Sequence, residues 1–220
     1  MPNWAMNELF VQAPDNNELN KFIDKMKSAC NDDEVLSFQS IRPMPEVLED
    51  TISPPMKIEK VLRDIKQLTG QDFSIEDFEA KFPINSNNGY IFDHIAQYRQ
   101  NKLAEEETGY SNWYEWQHDK WGVKWGASES LVEEKSTTTC VYTFQTPWGT
   151  PINWLNYLAK QYPAFNFIHK CADPSMDFHN EYFFENGELL EEINMSFEEA
   201  LENGNWGGFE NWEEMCEEEK

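Results

Sequence analysis

Residues 3–12 read Asn-Trp-Ala-Met-Asn-Glu-Leu-Phe-Val-Gln, and their reading decides the fold. Apolar side chains alternate around Trp4, Met6, Leu9 and Val11, the pattern of a half-buried strand that closes at Pro14-Asp15. Asp15 is the expected N-cap of a helix in which Leu19, Phe22, Ile23 and Met26 recur at three- and four-residue spacing to about Cys30. Val35 to Ile41 follows as a second strand. The β-α-β opening ends at Arg42-Pro43-Met44-Pro45, where the prolines forbid further ladder pairing.

Outward from this opening the character changes twice. From Pro45 to about Thr108 the pattern is helical, with pieces at Ile58 to Leu68, Ser74 to Phe82 and Tyr90 to about Glu106. Gly70 is placed as a C′ residue, and Ser74 with Asp77 forms a capping-box variant. Pro83 to Gly89, with its Asn-rich run, reads as a loop. Strands return at Glu129 to Glu134 and Thr137 to Thr146, then a helix over Asn153 to Gln161 opened by Pro151. Phe165 to Cys171 and Phe178 to Phe184 are further strands, the latter turning at Asn186-Gly187. The class is α+β.

Composition removes several functions. The 220 residues carry a formal net charge of -24, which disfavours direct binding to nucleic acid or to an anionic membrane surface. No apolar run approaches a membrane span, and the N-terminus does not read as a secretory signal, so the expected place is the cytosol. Cys30, Cys140, Cys171 and Cys216 form no CxxC pair. Cys140 and Cys171, inside strand-like runs, are expected to behave as small hydrophobes. The four histidines show no HExxH spacing; His169 and His179, with Asp173 or Asp177 between them, are one place where a site could form. GxSxG, GxGxxG and GxxxxGK[ST] are all missing, so no catalytic residue, metal ligand or cofactor is expected.

Three pieces of the chain resemble a known family: Met1-Pro2-Asn3-Trp4 with Asn7; Trp113-Tyr114-Glu115-Trp116 with Trp121-Gly122-Val123-Lys124-Trp125; and Phe144-Gln145-Thr146-Pro147-Trp148 with Pro151. Together they are similar to the Api-like proteins of phages and plasmids. The resemblance implies a ferredoxin-like antiparallel sheet and a life in a bacterial host cytosol, and it names no activity. Those proteins usually carry Cys where this chain has Ala5, which weakens any thiol chemistry there. It spans the opening and the later strands. The expected division is therefore a ferredoxin-like body from residues 1–45 and 111–187, a helical insertion at 46–110, and an acidic C-terminal extension at 188–220.

Two features invite a function. Trp113, Trp116, Trp121 and Trp125, with Trp4, Trp148 and Trp154, either pack a core at helical spacing or form an aromatic platform for a base, a sugar or a peptide. From Glu181 to Glu219 there are fourteen Glu and no basic residue, interleaved with Phe197, Leu201, Trp206, Phe209, Trp212 and Met215. The leading expectation is a phage-type inhibitor whose carboxylates stand in for phosphates in the basic groove of a host nucleic-acid enzyme, a DNA mimic. Glu191, Glu192, Glu198, Glu199, Glu202, Glu213 and Glu214 would steer the encounter, and Trp206, Phe209 and Trp212 would anchor it. The alternatives are a small-molecule binder or enzyme for a nucleotide signal, using a pocket lined by Trp113 to Trp125, and a homo-oligomeric scaffold.

Overall fold

The computed structural model describes residues 3–27 and 34–204. The chain divides into two compact units, Met1–Pro43 with Asp119–Lys220, and Met44–His118.

The first unit is built on a six-stranded antiparallel sheet: β1 (Trp4–Gln12), β2 (Ser128–Lys135), β3 (Thr139–Pro147), β4 (Asn166–Asp173), β5 (Phe178–Glu185) and β6 (Glu188–Met195). The spatial order is β2-β3-β1-β4-β5-β6. The first four strands, with helices α1 (Asn16–Met26) and α7 (Ile152–Gln161), form two interleaved split β-α-β crossovers, which is the ferredoxin-like arrangement.

β1 lies at the centre, with Leu9 opposite Tyr142 on one side and His169 on the other. Its inward side chains are Ala5, Asn7, Leu9 and Val11, so Trp4 and Met6 stand on the opposite face from Leu9. The inward set therefore includes an asparagine that hydrophobicity does not select.

Both crossover helices form for legible reasons. Asp15 accepts a hydrogen bond from the Glu18 backbone N–H at 2.9 Å, and α1 buries Leu19, Phe22 and Met26. Phe22 meets Tyr142 and Phe167, with ring centroids 6.5 and 5.9 Å apart. α7 buries Trp154, Leu155, Leu158 and Ala159. Each such side chain contributes about 1.5–3 kcal/mol by leaving water.

The expected strand at Val35 to Ile41 is instead an irregular segment ending in a short helix, α2 (Phe38–Ile41). The backbone groups a strand would offer to a neighbour are taken locally. Ser37 N–H donates to the Met26 carbonyl at 2.8 Å, and the Ser40 hydroxyl sits 2.7 Å from the Ser37 carbonyl. Phe38 then stacks on Trp154 at 4.3 Å and meets Trp121 and Phe144 edge-on. That aromatic burial outweighs the weak strand propensity of the segment. The second strand of the first crossover is β2, far down the chain.

The second unit holds α3 (Ile58–Thr69), α4 (Ile75–Lys81), α5 (Gly89–Thr108) and most of α6 (Trp113–Lys120). Val61, Ile65, Ile75, Phe78, Ile91 and Ile95 form its core. Gly70 ends α3 at φ 73°, and Ser74 caps α4 by accepting from the Asp77 N–H. Buried Asn101 on α5 donates to the carbonyls of Ile52 and Ser111 and accepts from the Met56 N–H. These bonds tie both flanking loops to the helix within the unit Met44–His118.

Candidate functional site

The expected acidic region does not begin a separate element at Glu188. Residues 188–195 are β6, the sixth strand, paired along β5 with Tyr182 opposite Glu192 and Phe183 opposite Glu191. The turn between them puts Asn186 at φ 53° and Gly187 at φ 81°, as an Asn-Gly hairpin requires. Glu191 and Glu192 therefore stand on opposite faces of an edge strand. After it, α8 (Phe197–Glu202) is capped by Ser196, which accepts from the Glu199 N–H, and Glu198 and Glu199 sit in its first turn, where the helix dipole favours acids. Glu185, Glu188, Glu191, Glu192, Glu198, Glu199 and Glu202 are exposed, and no ion pair among the described residues involves them. Trp206, Phe209, Trp212, Glu213 and Glu214 lie outside the described residues.

The tryptophan tract separates into two populations. Trp121 and Trp154 are buried, and so is Trp116 in the helical unit, as core packing requires. Trp125 and Trp148 are 37% and 46% exposed, and they form a row with Trp4: Trp4 to Trp125 is 6.2 Å between ring centroids, and Trp125 to Trp148 is 6.3 Å at an interplanar angle of 24°. The Lys124 ammonium lies 4.4 Å from the Trp125 centroid and 5.4 Å from that of Trp148. Trp148 is also in the left-handed region at φ 64°. For a bulky non-glycine residue this costs about 1–3 kcal/mol, offset here by its backbone N–H donating to the Asn3 carbonyl at 2.9 Å.

Strand direction gathers these parts at one end of the sheet. β1, β2 and β5 begin there, and β3, β4 and β6 finish there. A chain of hydrogen bonds crosses that end. Trp148 N–H reaches the Asn3 carbonyl; the Asn3 amide donates to the Ser175 hydroxyl at 3.0 Å; Asp173 Oδ1 accepts from the Ser175 N–H at 2.8 Å and from its hydroxyl at 2.6 Å. Two residues on, Asp177 Oδ1 accepts from the Phe197 N–H and holds the start of α8. The aromatic row and the start of acidic α8 thus lie at one end of the sheet, with β1, which carries Trp4, three strands from β6, which leads into α8.

The inward face carries a polar line that the sequence reading misses. The Asn7 amide donates to the Ala5 carbonyl and to Thr146 Oγ1, at 2.9 and 2.7 Å, which leaves Asn7 Oδ1 to accept from His169 Nε2 at 3.1 Å. His169 Nδ1 then has no partner among the described residues, and burial lowers the imidazole pKa from 6.5 to about 3. His179 lies on the other face, hydrogen-bonded to Glu181 at 3.0 Å. His169 and His179 therefore do not converge, and the site considered between them does not form. Burial also pushes the Cys140 and Cys171 thiols up to about 11 and about 12, which makes both poor nucleophiles. Among the described residues no cluster of three or more His, Cys, Asp or Glu could hold a metal ion, and no helix is long and apolar enough to cross a membrane.

Sheet order and crossovers make the first unit a ferredoxin-like α+β domain with two extra strands beyond β4. Residues 120–215 match the family described as the ferredoxin-like domain in Api92-like protein. The matched stretch includes residues 188–215, which the sequence reading sets apart as an extension. It leaves out β1, the strand that fills the gap between β3 and β4. A crystal structure of a protein api92 from Yersinia pseudotuberculosis is similar, with a TM-score of 0.48 at 7% identity, covering 89% of this chain and 99% of that one. No curated protein matches the chain.

Proposed function

We propose that this chain is a protein-binding inhibitor of phage type, which presents the acidic β6 edge of its sheet and the following α8 to a basic, nucleic-acid-binding groove of a host enzyme. The observation that carries the reading is one-sided charge. Between Lys170 and Lys220 there is no Lys or Arg, and the seven glutamates from Glu185 to Glu202 are exposed on β5, β6 and α8 rather than strung along a tail. Carboxylates fixed in that way repel one another in the free protein, and a cationic groove relieves that repulsion while drawing the two surfaces together.

The test is capture of partners from a host lysate at low and high salt, beside a variant carrying Gln at Glu191, Glu192, Glu198, Glu199 and Glu202. The parent should retain a basic nucleic-acid enzyme that salt releases and that nucleic acid competes away. If the variant captures the same protein with the same salt profile, the acidic surface is not the binding surface.

A further inference from the structure

We infer that the Trp4, Trp125 and Trp148 row is a seat for a cationic side chain, an arginine of the partner, which makes this end of the sheet a combined aromatic and acidic recognition surface. The inference rests on the acidic-partner reading and assigns that partner a specific contact.

The ring faces already hold a cation: the Lys124 ammonium is within contact distance of both Trp125 and Trp148, so the two rings are placed for cation–π attraction. The row is open to solvent, with nearly parallel Trp125 and Trp148 as its most exposed members. Trp148 occupies a position where Gly or Asn would adopt φ 64° at lower cost, and its strained backbone holds a large apolar ring half in water. Hydrogen bonds through Asn3, Ser175 and Asp177 run along this end of the sheet between Trp148 and the start of α8, whose first turn carries Glu198 and Glu199.

The charge of the occupant follows from the surroundings. A polyanion would meet a molecule of net charge -24, whereas a guanidinium is attracted by that field, is weakly hydrated, and stacks on an indole through its plane. Lys124 is then an internal occupant that an incoming arginine replaces.

The experiment titrates the full chain with a nona-arginine peptide and a nona-lysine peptide, read by tryptophan fluorescence and calorimetry. Nona-arginine should bind more tightly than nona-lysine. Trp148→Gly should weaken nona-arginine by about tenfold, and leave the salt dependence and the melting temperature close to the parent's because the strained backbone is relieved. Trp148→Phe should restore part of the lost affinity. Lys124→Met, which keeps the stem and removes the competing charge, should tighten nona-arginine. The five-fold Gln variant should instead flatten the salt dependence and keep the preference for arginine over lysine.

The outcomes separate the two claims. If nona-arginine binds with parental salt dependence and Trp148→Gly binds it equally well, the seat is wrong and the acidic reading stands. If neither peptide binds, both are wrong. If Lys124→Met abolishes binding of an oligo-dT probe that the parent retains, the row serves an anionic ligand and the inference is overturned.

Discussion

The indole N–H of Trp121 donates to the Arg42 carbonyl at 3.0 Å, and the Arg42 guanidinium returns a bond to the Lys120 carbonyl at 2.7 Å. The chain leaves the sheet unit just after Arg42 and re-enters it just before Lys120, so this pair closes the mouth of the helical insertion. Replacing residues 44–118 by a few Gly and Ser should leave a cooperatively unfolding sheet unit, checked by far-UV circular dichroism and denaturant melts. A molten or insoluble product would show that the insertion is required for that fold.

Trp121 itself is buried and packs edge-on against Phe38. Trp121→Ala should cost on the order of 3–5 kcal/mol in denaturant unfolding. Trp121→Phe keeps most of the packing and should cost about 1 kcal/mol for the lost hydrogen bond.

The family-matched stretch cannot close its own sheet, because β3 and β4 both pair with β1 and not with each other. A fragment of residues 119–220 should therefore be unfolded or aggregate through two exposed strand edges. Adding a peptide of residues 1–43 should recover amide protection in β3 and β4; a fragment that folds without it would refute the central role of β1.

His169 gives stability a defined pH dependence. Its folded pKa, lowered by burial to about 3, lies below the unfolded value of 6.5, so between those limits the unfolded chain binds a proton that the native one does not. This contribution is present in full above pH 6.5 and is lost as pH falls, by up to about 1.4 kcal/mol per unit. The difference between parent and His169→Gln stability should carry this slope between pH 6 and 4. A difference that does not change with pH would mean that the imidazole titrates normally.

Cys140 and Cys171 should be silent in the native protein. In a Cys30→Ser, Cys216→Ser background, a thiol reagent at pH 8 should label neither until denaturant is added, since burial and raised pKa remove both access and thiolate. Fast native labelling at Cys171 would place a channel beside Asn7.

What the sequence makes legible is local chemistry: the Asp15 and Ser74 caps, the Gly70 stop, and apolar spacings in α1, α3 and α7 are each decided within a few residues. Failures occur where partners are remote or where side chains override propensity. At residues 35–41 the Ser40 hydroxyl and the Ser37 backbone N–H compete with strand pairing, and the stack of Phe38 on Trp154 depends on a residue far along the chain. In β6 the glutamates mask a strand, although the Asn186-Gly187 turn with Leu189, Ile193 and Met195 at even separations carries the signal. Trp4 and Trp148 are joined only by the register of β1 with β3, and Asn7 becomes a core residue only once Thr146 and His169 stand beside it.

The central place of β1 also has a consequence in time. It is synthesised before the other strands of the sheet, and its neighbours begin at Thr139 and Asn166, so at about 5–20 residues per second roughly 6–30 s pass before either is available on the ribosome. During that interval Leu9 and Val11 have only α1 to shelter them, and the helical unit can fold while β1 waits. Production of this protein should therefore respond to nascent-chain chaperones, and slowing translation after residue 43 should lower the yield of folded product rather than raise it.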